Sequence, residues 1–186
     1  GWGRAARRPI PIAEVPQSYL RCVLVAEDAR FLSHQGFDLR EMRAAAAKAK
    51  LTGKPIRGAS TITMQCARTL FLWQGRSWVR KGLEFYYTVW MELLLPKRRI
   101  LELYVNQIEM GREIYGVRAA AQHHYNREPW RLTNDQQAML AAILPAPRRW
   151  DPNEPTMKLR WRQTMIRVRE PVLQFPEWGR SAERAR

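Results

Sequence analysis

The strongest constraint on what this chain can fold into is periodicity. In segment after segment apolar side chains return every three to four residues, and proline or glycine stops each run. Ile100, Leu101, Tyr104, Val105 and Ile108 share one stripe of a helix predicted from Lys97 to Met110, which Pro96 divides from another over Arg80 to Leu95. That stripe reads as core. Further helices are expected over Tyr19 to Asp28; over Leu39 to Leu51, with Leu39, Met42, Ala45, Ala46 and Ala49 on one side; and over Ser60 to Leu72, with Ile62, Cys66 and Leu70 inward. Gly116 to Tyr125, Asn134 to Leu144 (capped by Thr133 or Asn134) and a basic amphipathic segment from Met157 to Arg169 complete the set, before a polar tail. Convincing alternating strands are missing, although a short hairpin near Pro55 to Gly58 fits the turn residues there. The expected fold class is all-α in the main.

At 186 residues, 46% of them hydrophobic, the chain suits one domain with a good core. Its 32 basic against 17 acidic residues give a net charge of +15, which calls for an anionic partner: nucleic acid, a phosphate-bearing substrate or an anionic membrane. No apolar run reaches the ~18 residues needed to cross a bilayer; Phe85 to Met91 is broken at Glu92, and Ala138 to Leu144 is stopped by Pro145. The chain begins Gly1-Trp2-Gly3-Arg4, so a missing anchor or targeting segment carries no weight. Cys22 and Cys66 make neither a disulfide framework nor a metal-binding pair and are read as buried thiols.

Four clusters carry candidate chemistry. In Val25-Ala26-Glu27-Asp28-Ala29-Arg30-Phe31 two carboxylates sit against apolar neighbours, and desolvation of one would raise its pKa toward the range of a general acid or base. On composition alone a helix-end pair held by arginines is the commoner arrangement. Gly58 to Gln65 is a turn followed by hydroxyl residues at a helix start, where an anion is favoured but where serine and threonine are also ordinary caps. Arg76-Ser77-Trp78-Val79-Arg80-Lys81-Gly82-Leu83-Glu84 sets Arg80 and Glu84 four apart, a spacing that also suits a surface ion pair. Lys97 to Asn106 places polar residues opposite the apolar stripe.

Taken in order, these residues resemble the peptidoglycan glycosyltransferases, or transglycosylases, of family 51, in particular the monofunctional biosynthetic type. The pattern Glu-Asp-x-x-Phe-x-x-His-x-Gly is met at Glu27, Asp28, Phe31, His34 and Gly36. Gly-Ala-Ser-Thr-Ile-Thr-x-Gln follows at Gly58 to Gln65, Arg-Lys-x-x-Glu at Arg80, Lys81 and Glu84, and Lys-x-x-Ile-Leu-x-x-Tyr-x-Asn at Lys97 to Asn106. Ile114 to Tyr125 continues the likeness, which runs from about Pro16 to Pro155. The resemblance implies a lysozyme-like helical lobe with a smaller membrane-facing jaw lobe. Within a single domain, residues 1–15 are then an N-terminal extension, 16–155 the family core and 156–186 a basic C-terminal segment.

The resemblance also implies an activity: polymerisation of lipid II into glycan strands by inverting β-1,4 transfer, with release of undecaprenyl pyrophosphate. Glu27 matches the family's base and Glu84 its second carboxylate, which orients cations, steadies oxocarbenium charge or helps hold a divalent metal. Arg68, Arg76 and Lys81, with Arg80 nearby, match the basic positions that meet the pyrophosphate. Asp28, Phe31, His34, Ser60, Thr61, Gln65, Lys97 and Asn106 complete the implied substrate site, most of them as support. No cofactor is required in this reading; Mg or Mn is the optional ion, and Glu84 its candidate ligand. Implied partners are lipid II and the growing glycan, an anionic membrane surface and proteins of cell-wall synthesis or division, at the outer, periplasmic face of the bacterial cytoplasmic membrane.

Where the family usually has two glutamines and a Lys-Asn pair, this chain has Met64-Gln65 and Arg68-Thr69; Pro96 precedes Lys97, and Glu113 stands where a second glycine is common. These departures keep open a weakened homologue that binds lipid II, and the helical shape keeps open a lysozyme-like glycan hydrolase. A nucleic-acid module lacks support, since basic and aromatic residues do not interleave on one element. Finally, Phe71, Trp73, Trp78, Phe85, Tyr86, Tyr87 and Trp90 form an aromatic concentration suited to a headgroup region or to core packing. Arg160, Arg162, Arg167 and Arg169 add lipid attraction or a solvated helix face.

Overall fold

In the computed structural model, residues 9–53, 58–73, 75 and 77–181 are described. The expected helices are present: α1 (Gln17–Glu27), α2 (Leu39–Thr52), α3 (Ile62–Phe71), α4 (Trp78–Leu94), α5 (Lys97–Gln107), α6 (Val117–Tyr125), α7 (Asn134–Ala142) and α8 (Met157–Arg169). The fold is mainly α. The hairpin expected near Pro55 lies largely outside the described residues.

Side-chain caps set several starts. Asp38, Thr61, Ser77, Thr133 and Thr156 each accept a hydrogen bond from a first-turn N–H, and Thr133 with Gln136 completes a capping box. Each such cap is worth about 1 kcal/mol. The Ser60 helix therefore starts two residues late, at Ile62, because Thr61 is its cap.

α1 buries Tyr19, Leu20, Val23 and Leu24 and packs on α7 and α8, while α3 packs on α4 and α5. The α5 stripe is buried as expected, with Ile100, Leu101 and Val105 at 0% exposure. Both cysteines are free and buried, and burial pushes each thiol up to about 12, so neither is a thiolate at neutral pH.

Three local features differ from the reading of the sequence. First, α5 stops at Gln107, and the chain turns into a two-stranded antiparallel sheet, β1 (Glu109–Gly111) with β2 (Ile114–Tyr115). Ile108 and Met110 are buried and Glu109 is not, a period-two pattern too short to register in sequence. Second, α2 has no buried residue, so its alanine-rich stripe has no core to meet. Third, the tail after α8 returns to the body. Phe175 and Trp178 pack on the core, the Arg180 N–H donates to Val15 O at 2.7 Å, and Gln17 bonds both Pro176 O and the Gly179 N–H.

The N-terminal stretch is equally integral. Ile10 and Ile12 are buried, and the Asn106 side-chain amide both accepts from the Ile10 N–H and donates to Ile10 O, each at 2.9 Å. Gly116 makes the turn from β2 into α6 at φ 81, and a Cβ there would lie 2.5 Å from Asn106 O. Gly116→Ala is expected to destabilise by about 1–3 kcal/mol or more, since backbone must shift on both sides. Thermal unfolding should register this as a loss of several degrees, and an unchanged Tm would contradict the geometry.

Candidate functional site

Glu27 is the last residue of α1, and Asp28 leaves the helix at φ −164. This break sends the paired carboxylates to different partners. Asp28 accepts from the Ile62 N–H at 3.0 Å, at the start of α3, and from His34 Nε2 at 2.9 Å. An anion at a helix N-terminus with a histidine behind it is well satisfied, so Asp28 and His34 tie α1 to α3.

Glu27 faces a different setting. Its side chain is only 11% exposed. One oxygen, Oε2, accepts from Gln65 Nε2 at 3.0 Å; the other, Oε1, accepts from Arg162 Nη2 at 3.1 Å. Gln65 is oriented by the buried Tyr104 hydroxyl, which donates to its Oε1 at 3.2 Å. Burial pushes the Glu27 pKa up and outweighs the Gln65 hydrogen bond and the Arg162 charge, which pull it down; Asp28 adds to the rise, and Arg68 opposes it. A carboxylate with a raised pKa and two fixed donors is suited to accept a proton.

Two cavities meet this region. One of about 270 Å³ is lined by Glu27 and Asp28 together with Arg30, Ser60, Thr61 and Arg169. The other, a cleft of about 950 Å³, begins at Gln65 and runs past Arg68, Thr69, Trp73 and Arg80 to Glu113, Tyr115 and Arg148. Arg68 and Arg80 are half-buried in this cleft, and neither has a carboxylate partner among the described residues; the Arg80 Nε is buried without a hydrogen-bond acceptor. Two guanidiniums of this kind suit an anion, which they can grip in bidentate fashion. At the far wall, Arg148 Nε donates to Glu109 at 2.6 Å.

Several expected site residues are placed elsewhere. Phe31 is core, at 1% exposure. Lys97 binds Glu92 at 2.8 Å and lies over the Phe31 ring, so its charge is spent inside the fold. Asn106 clasps Ile10; Thr61 stays on the wall of the smaller cavity, but its hydroxyl is taken up by Gly36 O at 2.6 Å. Glu84 is buried and pairs with Lys81 Nζ at 2.7 Å, not with Arg80, and it lines neither cavity. Among the described residues Glu84 belongs to no cluster of three or more His, Cys, Asp or Glu ligands. Ligand atoms of Asp28, His34 and Asp38 lie within 4.8 Å of one another, yet Arg30 already grips Asp38 through Nε and Nη2, and the Ile62 N–H holds Asp28. Neither donor set fits a metal as arranged. Arg76 lies outside the described residues.

The departures from the family pattern now separate. Met64 is buried at 2% exposure and removes nothing from the cleft wall. Thr69 does line the cleft, with its hydroxyl donating back to Gln65 O at 2.9 Å. Glu113 sits at φ 61, a left-handed conformation that explains why glycine suits this position. Arg162, read from the sequence as part of a basic helix face or a lipid contact, is instead placed on Glu27. It lies 135 positions from Glu27 in a run of arginines, and no local spacing marks it.

Comparison with known proteins decides the family. The transglycosylase family model matches residues 2–169. This chain belongs to the transglycosylase family. A biosynthetic peptidoglycan transglycosylase of Stutzerimonas stutzeri (strain A1501) is 45% identical over 157 residues, covering 84% of this chain and 64% of the relative. One of Xanthomonas campestris pv. campestris (strain B100) is 51% identical over 142 residues, 76% of this chain and 57% of the relative. One of Ectopseudomonas mendocina (strain ymp) is 42% identical over 179 residues, 90% of this chain and 74% of the relative. The chain thus spans less than two thirds of the length of the first two transglycosylases.

The Glu27 environment has a consequence for stability. Its folded pKa is raised above the unfolded value, so its contribution to stability is present below the unfolded carboxylate pKa and is lost as pH rises through the folded one. Glu27→Gln is therefore expected to melt at a higher temperature than the parent at neutral pH, and the gap should close on acidification. Parallel melting curves at neutral and acid pH check this; a lower Tm at neutral pH would contradict it.

Proposed function

We propose that this transglycosylase domain polymerises lipid II, with Glu27 as the general base and the cleft lined by Arg68 and Arg80 as the seat of the donor pyrophosphate. The observation that carries the proposal is the pairing of these two environments: a doubly held, desolvated carboxylate and, reached through Gln65, two guanidiniums with no carboxylate partner among the described residues.

The chemistry follows from charge. The acceptor C4 hydroxyl gives its proton to Glu27 as its oxygen bonds to C1 of the donor, while the C1–O bond to pyrophosphate breaks with its electron pair. Inversion follows, because base and leaving group lie on opposite faces of C1. The leaving pyrophosphate gains negative charge in the transition state, so cations aimed at it lower the barrier more than they tighten ground-state binding. Arg68 acts on both halves, since it also favours the ionised form of Glu27. Glu84 serves in this scheme through Lys81, whose ammonium it orients.

A lipid-linked substrate needs the domain at a membrane surface. No helix among the described residues is long and apolar enough to cross one. Contact is instead assigned to exposed apolar side chains: Trp78 is 92% exposed, Trp73 54% and Tyr86 55%, with Leu93 and Leu94 both at 70%. They lie on or beside α4, and core packing leaves them outside. Aromatic rings and leucines on a surface with a net charge of +15 suit an anionic headgroup layer.

Lipid II polymerisation on anionic vesicles, followed by product length, is the test. Glu27→Gln is expected to lower the rate about 10²–10⁴-fold, the usual span for a general base. Arg68→Met and Arg80→Met should each lower kcat by about 10²-fold or more, as loss of one transition-state contact does. Parental polymerisation by Glu27→Gln would sink the base assignment. Release of soluble fragments from isolated peptidoglycan without growth of lipid II product would select the hydrolase reading instead.

A further inference from the structure

We propose that Arg162 is the positioning residue of the base, fixing the Glu27 carboxylate in place and holding it ionised, in a role carried by the C-terminal helix and by none of the sequence clusters. The inference rests on the reading of Glu27 as the base.

Arg162 makes three contacts with one planar group. Nη2 donates to Glu27 Oε1 at 3.1 Å and to Ala26 O at 2.9 Å, and Nε donates to Ala142 O at 3.1 Å. Ala26 lies in the last turn of α1 and Ala142 ends α7, so the fork satisfies carbonyls that their own helices leave open. It also sets the distance between those two helix ends. An ammonium cannot reproduce this, because a guanidinium offers five donors in a rigid plane.

The charged and titratable surroundings of Glu27 single out this residue. Asp28 follows it on the chain. Arg30, Asp38, Glu41 and Arg169 line the smaller cavity beside it, Arg68 faces it from α3, and the neutral Tyr104 reaches it through Gln65 from α5. Among the described residues, Arg162 is the one cation that hydrogen-bonds the Glu27 carboxylate; the other donor, Gln65, is neutral. The Arg162 side chain is 28% exposed and that of Glu27 11%, so water screens the contact only in part.

This gives a division of labour among the arginines. Among the described residues Arg68 and Arg80 have no carboxylate partner, which leaves them to meet an anion, whereas Arg162 is committed to the base. A buried carboxylate without a cation would take up a proton before any sugar hydroxyl offered one. With Gln65 on one oxygen and Arg162 on the other, each oxygen still has a lone pair for the hydroxyl proton.

The full chain with lipid II on anionic vesicles tests the proposal, with Tm measured beside kcat/KM as a function of pH. Arg162→Gln is expected to move the acid limb of the profile to higher pH by about one unit, roughly tenfold in proton affinity, and to lower kcat at neutral pH. Arg162→Lys should restore part of the limb but less of kcat, because it returns the charge without the fork. If Arg162→Gln lowers Tm while the acid limb stays at its parental position, the residue is structural only and the proposal fails. If Arg162→Gln does not fold, the lysine variant decides, and parental kcat with a parental limb would overturn the role of the fork. Glu27→Gln run alongside separates the two failures. Parental activity there sinks the base assignment itself, whereas an inactive Glu27→Gln with an unmoved Arg162→Gln limb sinks this inference alone.

Discussion

One hydrogen-bonded chain, Tyr104 to Gln65 to Glu27 to Arg162, is the constraint on which the site depends. It draws one side chain from each of α5, α3, α1 and α8, the helices that enclose the core. A carboxylate at 11% exposure has lost most of its water, a loss on the order of several kcal/mol for an isolated ion. The partners in this chain, with the nearby charge of Arg68, favour the ionised group there. The charge still costs stability, and the fold retains it on the wall of the smaller cavity, with Gln65 between it and the larger cleft.

Around that chain several polar residues, two of them on the smaller cavity's lining, spend their polar atoms on holding the walls. Asp28 with His34, Thr61 with Gly36, Lys97 with Glu92 and Asn106 with Ile10 are all wall contacts. Thr61 with Gly36 and Asn106 with Ile10 fasten segments 25 and 96 positions apart, whereas Asp28 with His34 and Lys97 with Glu92 hold local turns. A motif residue near an active site is thus more often a fastener than a reactant, because site geometry requires rigid support.

Much of this was legible in the sequence. The 3.6-residue stripes gave the helices and the α5 core, and the order of Glu27-Asp28, the Gly58 to Gln65 turn, the Arg80 to Glu84 segment and the Lys97 to Asn106 helix pointed to the transglycosylase family. What escaped did so for local reasons. The β1–β2 hairpin spans too few residues to show a period. The α2 stripe looks like any amphipathic helix, yet none of its residues is buried in the fold. The aromatic residues of α4 fitted core and headgroup region equally well, because periodicity says which residues share a face and not what that face meets.

The sequence by itself determined that the chain is mainly helical, that Glu27 stands at the end of an apolar helix, and that basic residues outnumber acidic ones, 32 to 17. Tertiary structure alone decided which arginine does what. Arg68, Arg80 and Arg162 are chemically the same side chain on helices with similar signals. They differ because packing seals Arg162 against the carboxylate and leaves the other two facing an open cleft. Local sequence encodes a helix and its face; the pairing of Arg162 with Glu27 joins residues 135 positions apart, which only the folded chain brings within 3.1 Å.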